Sequence, residues 1–150
     1  MSADYARENA AERERLFRLT SDLSEKDLEC RMANGWSVAT KLLHLAFWDQ
    51  YALALLKSWK STSVTTSSLE VDAVNEGVRV LSYAVPPKAV VRLVRAAAEG
   101  VDAEVERIQP ELKAAIEASG RTRLLLRAAH RREHLDQIEK ALNAGRGPSA

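Results

Sequence analysis

The chain has 150 residues, 46% of them hydrophobic and 29% charged, the balance of one globular domain with one core, which argues against whole-chain disorder. Its 22 basic and 21 acidic residues leave a formal charge of +1, so no basic face for nucleic acid is expected. The single cysteine, Cys30, excludes an internal disulfide and fits a reducing compartment.

Residues 1–18 are charged throughout and lack the apolar h-region of a signal peptide, so a cytoplasmic protein is expected. A first helix is predicted over residues 4–19, with Leu16, Leu19 and Leu23 on its inner face. Ser24 with Asp27 signals a capping box for a short helix over 25–29, and Asn34-Gly35 marks a turn. Ser37 should cap a long second helix ending near Trp59. That helix is apolar around most of its circumference and should be the most buried element. Its apolar run, residues 42–56, contains His44, Asp49 and Gln50 and is too short and polar to cross a bilayer.

The Ser/Thr-rich segment 61–68 reads as a loop, and residues 70–83 as another helical stretch. Pro86 and Pro87 restart the chain into a third long helix, whose stripe runs through Val90, Leu93, Val94, Ala97, Val101, Val105 and Ile108. Pro110 should kink or end it, and a short helix over 111–118 stops at Gly120. Thr122 is expected to cap the last helix, which ends near Asn143 and Gly145, with residues 145–150 a frayed tail. The expectation is a single all-α domain over 1–150, a four-helix bundle in which the long second connection permits a crossover.

The only three histidines are His44, His130 and His134. His130 and His134 lie four apart, so they stack on one face of the last helix. On a helical wheel they fall within the apolar arc of Leu126, Leu135, Ile138 and Leu142. Two such imidazoles reach one ion at about 2.0–2.1 Å, and His44 is the remaining nitrogen donor. Zinc, nickel or iron would accept three nitrogens and keep positions open. The three rings are therefore expected to bring one nitrogen each within about 2.5 Å of a common point. The competing reading is a hydrogen-bonded pair and a satisfied core histidine, with no metal.

The residues Gly35-Trp36-Ser37-Val38, then Leu43-His44-Leu45-Ala46-Phe47-Trp48-Asp49, then His130-Arg131-Arg132-Glu133-His134 resemble the DinB/YfiT-like superfamily. The segment Val71-Asp72-Ala73-Val74-Asn75 is similar to the one before the third helix in its maleylpyruvate-isomerase-like branch. The resemblance implies a four-helix bundle with a three-histidine metal site. It also implies, for some members, isomerase or S-transferase chemistry with a low-molecular-weight thiol such as mycothiol or bacillithiol. The further C-terminal domain of longer mycothiol-dependent maleylpyruvate isomerases is not expected here.

Other residues have two readings each. Arg127 and Arg131 share the inward arc with the histidines. One of them binds a carboxylate of a small-molecule ligand, or both pair with acids such as Glu99 or Asp102 on the third long helix. Trp48 and Tyr51 share the His44 face; they line a pocket, with Tyr51 a proton donor, or pack in the core. Asn75 orients a ligand or caps a turn, and Trp36 should anchor the start of the second helix. Two functions of different class follow. One is a metal-dependent enzyme, a thiol S-transferase or isomerase or a hydrolase, in which a metal with an open position acidifies a thiol or water near neutral pH and the substrate is a small anion. The other is a non-catalytic metal-binding or homodimeric stress-related bundle. No membrane partner is expected for either.

Overall fold

A computed structural model describes residues 4–145. It is all-helical: among the described residues the only extended pairing is an isolated bridge between Arg31 and Ser37. The elements are α1 (Tyr5–Ser21), α2 (Glu25–Glu29), α3 (Val38–Ser58), α4 (Val71–Ser82), α5 (Pro87–Glu106), α6 (Pro110–Ala118), a 3₁₀ turn (Thr122–Leu124) and α7 (Arg127–Gly145).

Local chemistry sets most of these boundaries. Asp4 accepts from the Arg7 N–H at the start of α1, Ser24 and Asp27 form the reciprocal box of α2, and Ser37 accepts from the Thr40 N–H at the start of α3. Pro87 and Pro110 open α5 and α6, where a missing N–H costs nothing. Of the two outcomes expected at Pro110, a kink or an end, the kink does not arise: α5 ends at Glu106, a few residues before it. Gly35 and Gly120 take φ values of +83° and +78°, the left-handed turns that a side chain would resist.

The start of α7 departs from expectation. Thr122 caps nothing; it lies in the 3₁₀ turn and its carbonyl accepts from Leu126, so Leu124 and Leu126 precede the helix. The capping acceptor comes instead from α1. The Asn9 side chain, fully buried, accepts from the Ala128 N–H and donates to the Leu125 carbonyl, both at 2.8 Å. At the other end α7 runs through Gly145, where the helix was expected to end and the tail to begin; the rest of that tail, residues 146–150, lies outside the described residues.

Each of the four long helices packs along two others. α3 lies against α5 and α7, and α1 against the same two; α4 lies on the outside of α3. The core has two apolar regions. One joins Leu16, Val38, Leu42, Leu45, Val94, Leu135 and Ile138; the other joins Leu56, Trp59, Val101, Ile116 and Leu125. Each buried Leu or Ile contributes about 1.5–3 kcal/mol. α3 supplies buried residues on most of its faces, as its composition predicts. Among the described residues no helix is long and apolar enough to cross a membrane.

Candidate metal centre

His44 sits in the second turn of α3; His130 and His134 sit one turn apart on the neighbouring α7. Their Nε2 atoms converge. His130 Nε2 lies 3.2 Å from His44 Nε2 and 3.1 Å from His134 Nε2. One ligand atom from each residue falls within 4.8 Å of the others. Two nitrogens about 2.05 Å from one ion are about 3.3 Å apart at the tetrahedral angle and about 2.9 Å apart at a right angle. The two separations from His130 fall between these limits and the three atoms lie within 4.8 Å of one another, so the donor set could hold a divalent ion.

Electrostatics prepare the rings for that role. Burial holds the His44 pKa down to about 3, helped by His134 and Lys41. Burial, then Arg127 and the other two histidines, hold His130 down to about 2. His134 is lowered too, mainly by burial. All three imidazoles are neutral at pH 7, with lone pairs available.

The second ring nitrogens are treated differently. His134 Nδ1 donates to Gln137 Oε1 at 2.9 Å. Such an N–H donation leaves Nε2 free to ligate. His44 Nδ1 is buried with no hydrogen-bond partner. The Asn75 amide approaches this ring and slightly opposes its pKa shift without completing a bond to Nδ1. His130 Nδ1 accepts from Arg127 Nη2 at 3.3 Å, because a guanidinium only donates. In the metal-free chain the His130 proton therefore sits on Nε2, shared with the other two rings.

The rings open onto a cavity of about 510 Å³. Trp48 and Asn75 both line it, and the Trp48 indole donates to Asn75 Oδ1 at 2.8 Å; Asn75 is in the body of α4 and caps nothing. Tyr51 stacks edge-on against Trp48 but does not line the cavity. Trp36, expected as a packing anchor, is also a cavity wall, with its ring 5.7 Å from that of His44. Two larger cavities, about 620 Å³ beside Trp59 and about 610 Å³ beside Cys30, bring no set of ligating side chains together among the described residues.

The two arginines part company. Arg131 is fully buried and does not line the cavity. It takes the ion-pair alternative, with both Asp102 oxygens at 2.8 Å and Asp49 Oδ2 at 3.1 Å; Glu99 is not used. The reason is geometric: Arg131 lies between the histidines along α7, and the position faces α5 rather than the opening. Arg127 does both. Its Nε binds Asp49 Oδ1 at 2.8 Å, and its side chain forms part of the cavity wall. Asp49 thus ties both arginines of α7 to α3, the helix of His44. The sequence reading missed Lys41, Arg123 and Glu133, which also line the cavity. A signal for Lys41 existed: it lies at the edge of the apolar run, one turn before His44, on a helix expected to be buried.

The family model of the DinB superfamily matches residues 8–138, a span that holds all three histidines and all four long helices up to the last turns of α7. The chain belongs to the DinB superfamily. Neither a curated protein nor a solved structure matches it. Membership and the His44, His130, His134 cluster together are compatible with a metal-binding DinB protein.

Proposed function

We propose that this DinB-superfamily chain is a cytoplasmic metal-dependent enzyme built on a four-helix bundle of α1, α3, α5 and α7, in a single domain. His44, His130 and His134 hold one divalent ion, with zinc or nickel the best match to three neutral imidazoles. The observation that carries this reading is the convergence of three Nε2 atoms at the wall of an open cavity. A closed site would favour a scaffold; an opening with room for a small molecule favours catalysis.

A bound ion supplies Lewis acidity, which makes a thiol or a water a better nucleophile at neutral pH. The chain's own residues do the rest. Trp36 and Trp48 give the substrate an apolar wall and exclude water. Arg127, oriented by Asp49, presents positive charge to an anionic substrate. Asn75, fixed by Trp48, offers a polar contact at the rim. The thiol arm, with mycothiol or bacillithiol as nucleophile, gives S-transfer or isomerisation; the water arm gives hydrolysis. Homodimerisation is part of the proposal, through the exposed apolar surface of Phe47, Leu81 and Leu93 beside Val78 and Val85.

Elemental analysis of the purified protein, followed by conjugation and hydrolysis screens with and without thiol, tests the proposal. About one equivalent of metal and turnover that chelation abolishes are expected. Absence of metal uptake, or metal uptake with no turnover in either screen, sinks the enzyme reading; the second result returns the non-catalytic bundle.

A further inference from the structure

The histidine cavity is lined by three cations, Lys41, Arg123 and Arg127, against one carboxylate, Glu133. Two of these cations have partners: Arg127 binds Asp49, and Arg123 approaches Glu133 at 3.7 Å. Lys41 has none. It leaves α3 one turn before His44 and is only 5% exposed. Among the described residues it makes no hydrogen bond or ion pair; its ammonium lies 4.5 Å from the centre of the Trp36 ring. A cation–π contact leaves the ammonium's donors without a protein partner at the cavity wall, open to a ligand. Lys41 shares the cavity wall with all three histidines and lies one turn from His44 on α3.

We propose that Lys41 anchors an organic carboxylate in the histidine cavity, and that this anion and a divalent ion on His44, His130 and His134 bind cooperatively. The inference rests on the metal reading above. A dication on three neutral imidazoles adds two positive charges to a wall already rich in cations. The carboxylate compensates both the ion and Lys41, so each ligand lowers the electrostatic cost of the other, and the coupling is reciprocal. Trp36, Trp48 and Val71 give such a ligand an apolar surface for its carbon skeleton, which inorganic anions cannot use. Lys41 comes from α3, Arg123 from the 3₁₀ turn and Arg127 from α7, so the positive charge is spread around the opening rather than gathered at one point.

Calorimetric titration of zinc into metal-free protein tests this, run alone, with succinate and with sulfate, for the wild type and Lys41→Met. Methionine keeps an unbranched stem in the same packing and removes the charge. For the wild type, succinate is expected to tighten zinc binding about tenfold despite competing weakly for the ion, and sulfate to do less. Lys41→Met should then change two quantities in opposite senses. Zinc alone should bind about tenfold tighter, because a repelling cation is gone, and the gain from succinate should fall below about twofold. A merely structural lysine would produce weaker zinc binding on substitution. Should Lys41→Met not fold, Lys41→Gln carries the same expectations. Zinc uptake with no gain from succinate, or unchanged zinc affinity in the neutral variant, overturns the inference and leaves the metal reading standing. An equal gain from sulfate overturns the carboxylate assignment. Failure of the wild type to bind zinc overturns both readings.

Discussion

Asp49→Ala should be the most destabilising single change that touches the site without removing a histidine. Asp49 is 1% exposed, and each oxygen holds a different arginine: Oδ1 the Arg127 Nε at 2.8 Å, Oδ2 the Arg131 Nη2 at 3.1 Å. A hydrogen bond to a charged group contributes about 1.5–3 kcal/mol, and breaking a buried pair costs about 3–5 kcal/mol. Arg131 would keep both bonds to Asp102, which limits the loss at that end. Arg127 would keep only the Arg123 carbonyl at 3.0 Å and its contact to His130. The lower end of the range is therefore expected, about 3 kcal/mol. In a chain of this size that lowers the thermal midpoint by about 6–12 °C. Urea titration of metal-free protein at pH 7 measures the free energy, and calorimetry the midpoint. Asp49→Asn, which keeps an acceptor and loses the charge, should fall between wild type and Ala. A loss under about 0.5 kcal/mol for Asp49→Ala, the size of an ordinary surface change, would show that the arginines do not depend on this carboxylate.

His130 is the hub of both ring contacts, so His130→Ala should abolish stoichiometric metal uptake. Undiminished metal by elemental analysis in a His130→Ala, His134→Ala double variant refutes the donor set. The metal-free protein should lose stability in acid before its carboxylates titrate. His44 has a folded pKa near 3 against 6.5 for the free side chain, so the unfolded chain binds more protons as pH falls through 6.5. Stability from this group is whole above pH 6.5 and declines toward pH 3; His44→Gln should reduce the slope of the thermal midpoint between pH 6.5 and 4.5, leaving the share of His130 and His134, and an unchanged slope there contradicts the pKa assignment. Nitrogen NMR of the metal-free protein should find His130 protonated on Nε2 and His134 on Nδ1, as their Arg127 and Gln137 contacts require. The reverse assignment for His130 would remove the guanidinium contact.

Periodicity and capping chemistry are local, and they were legible. The Ser24–Asp27 box, the Ser37 cap and the proline that opens α5 appear where the sequence places them, because each depends on residues within one turn. The start of α7 was misread because its cap comes from Asn9, over a hundred residues away in sequence. The fate of the arginines had the same character. A wheel puts Arg127 and Arg131 on the buried arc, but only the position of α3 and α5 against α7 decides which meets acids in the interior and which reaches the opening.

The sequence by itself determined that His130 and His134 share a face, since 3.6 residues per turn leaves no alternative once the helix forms. It also limited the third nitrogen to His44, the one histidine left. Tertiary structure decided the rest: that α3 lies beside α7 at the height that brings His44 Nε2 within 3.2 Å of His130, and that Lys41, Trp36 and Asn75 share the same opening. Helix periodicity fixes angles around one axis. The depth and rotation of one helix against another follow from packing side chains drawn from the whole chain, and no window of the sequence contains them.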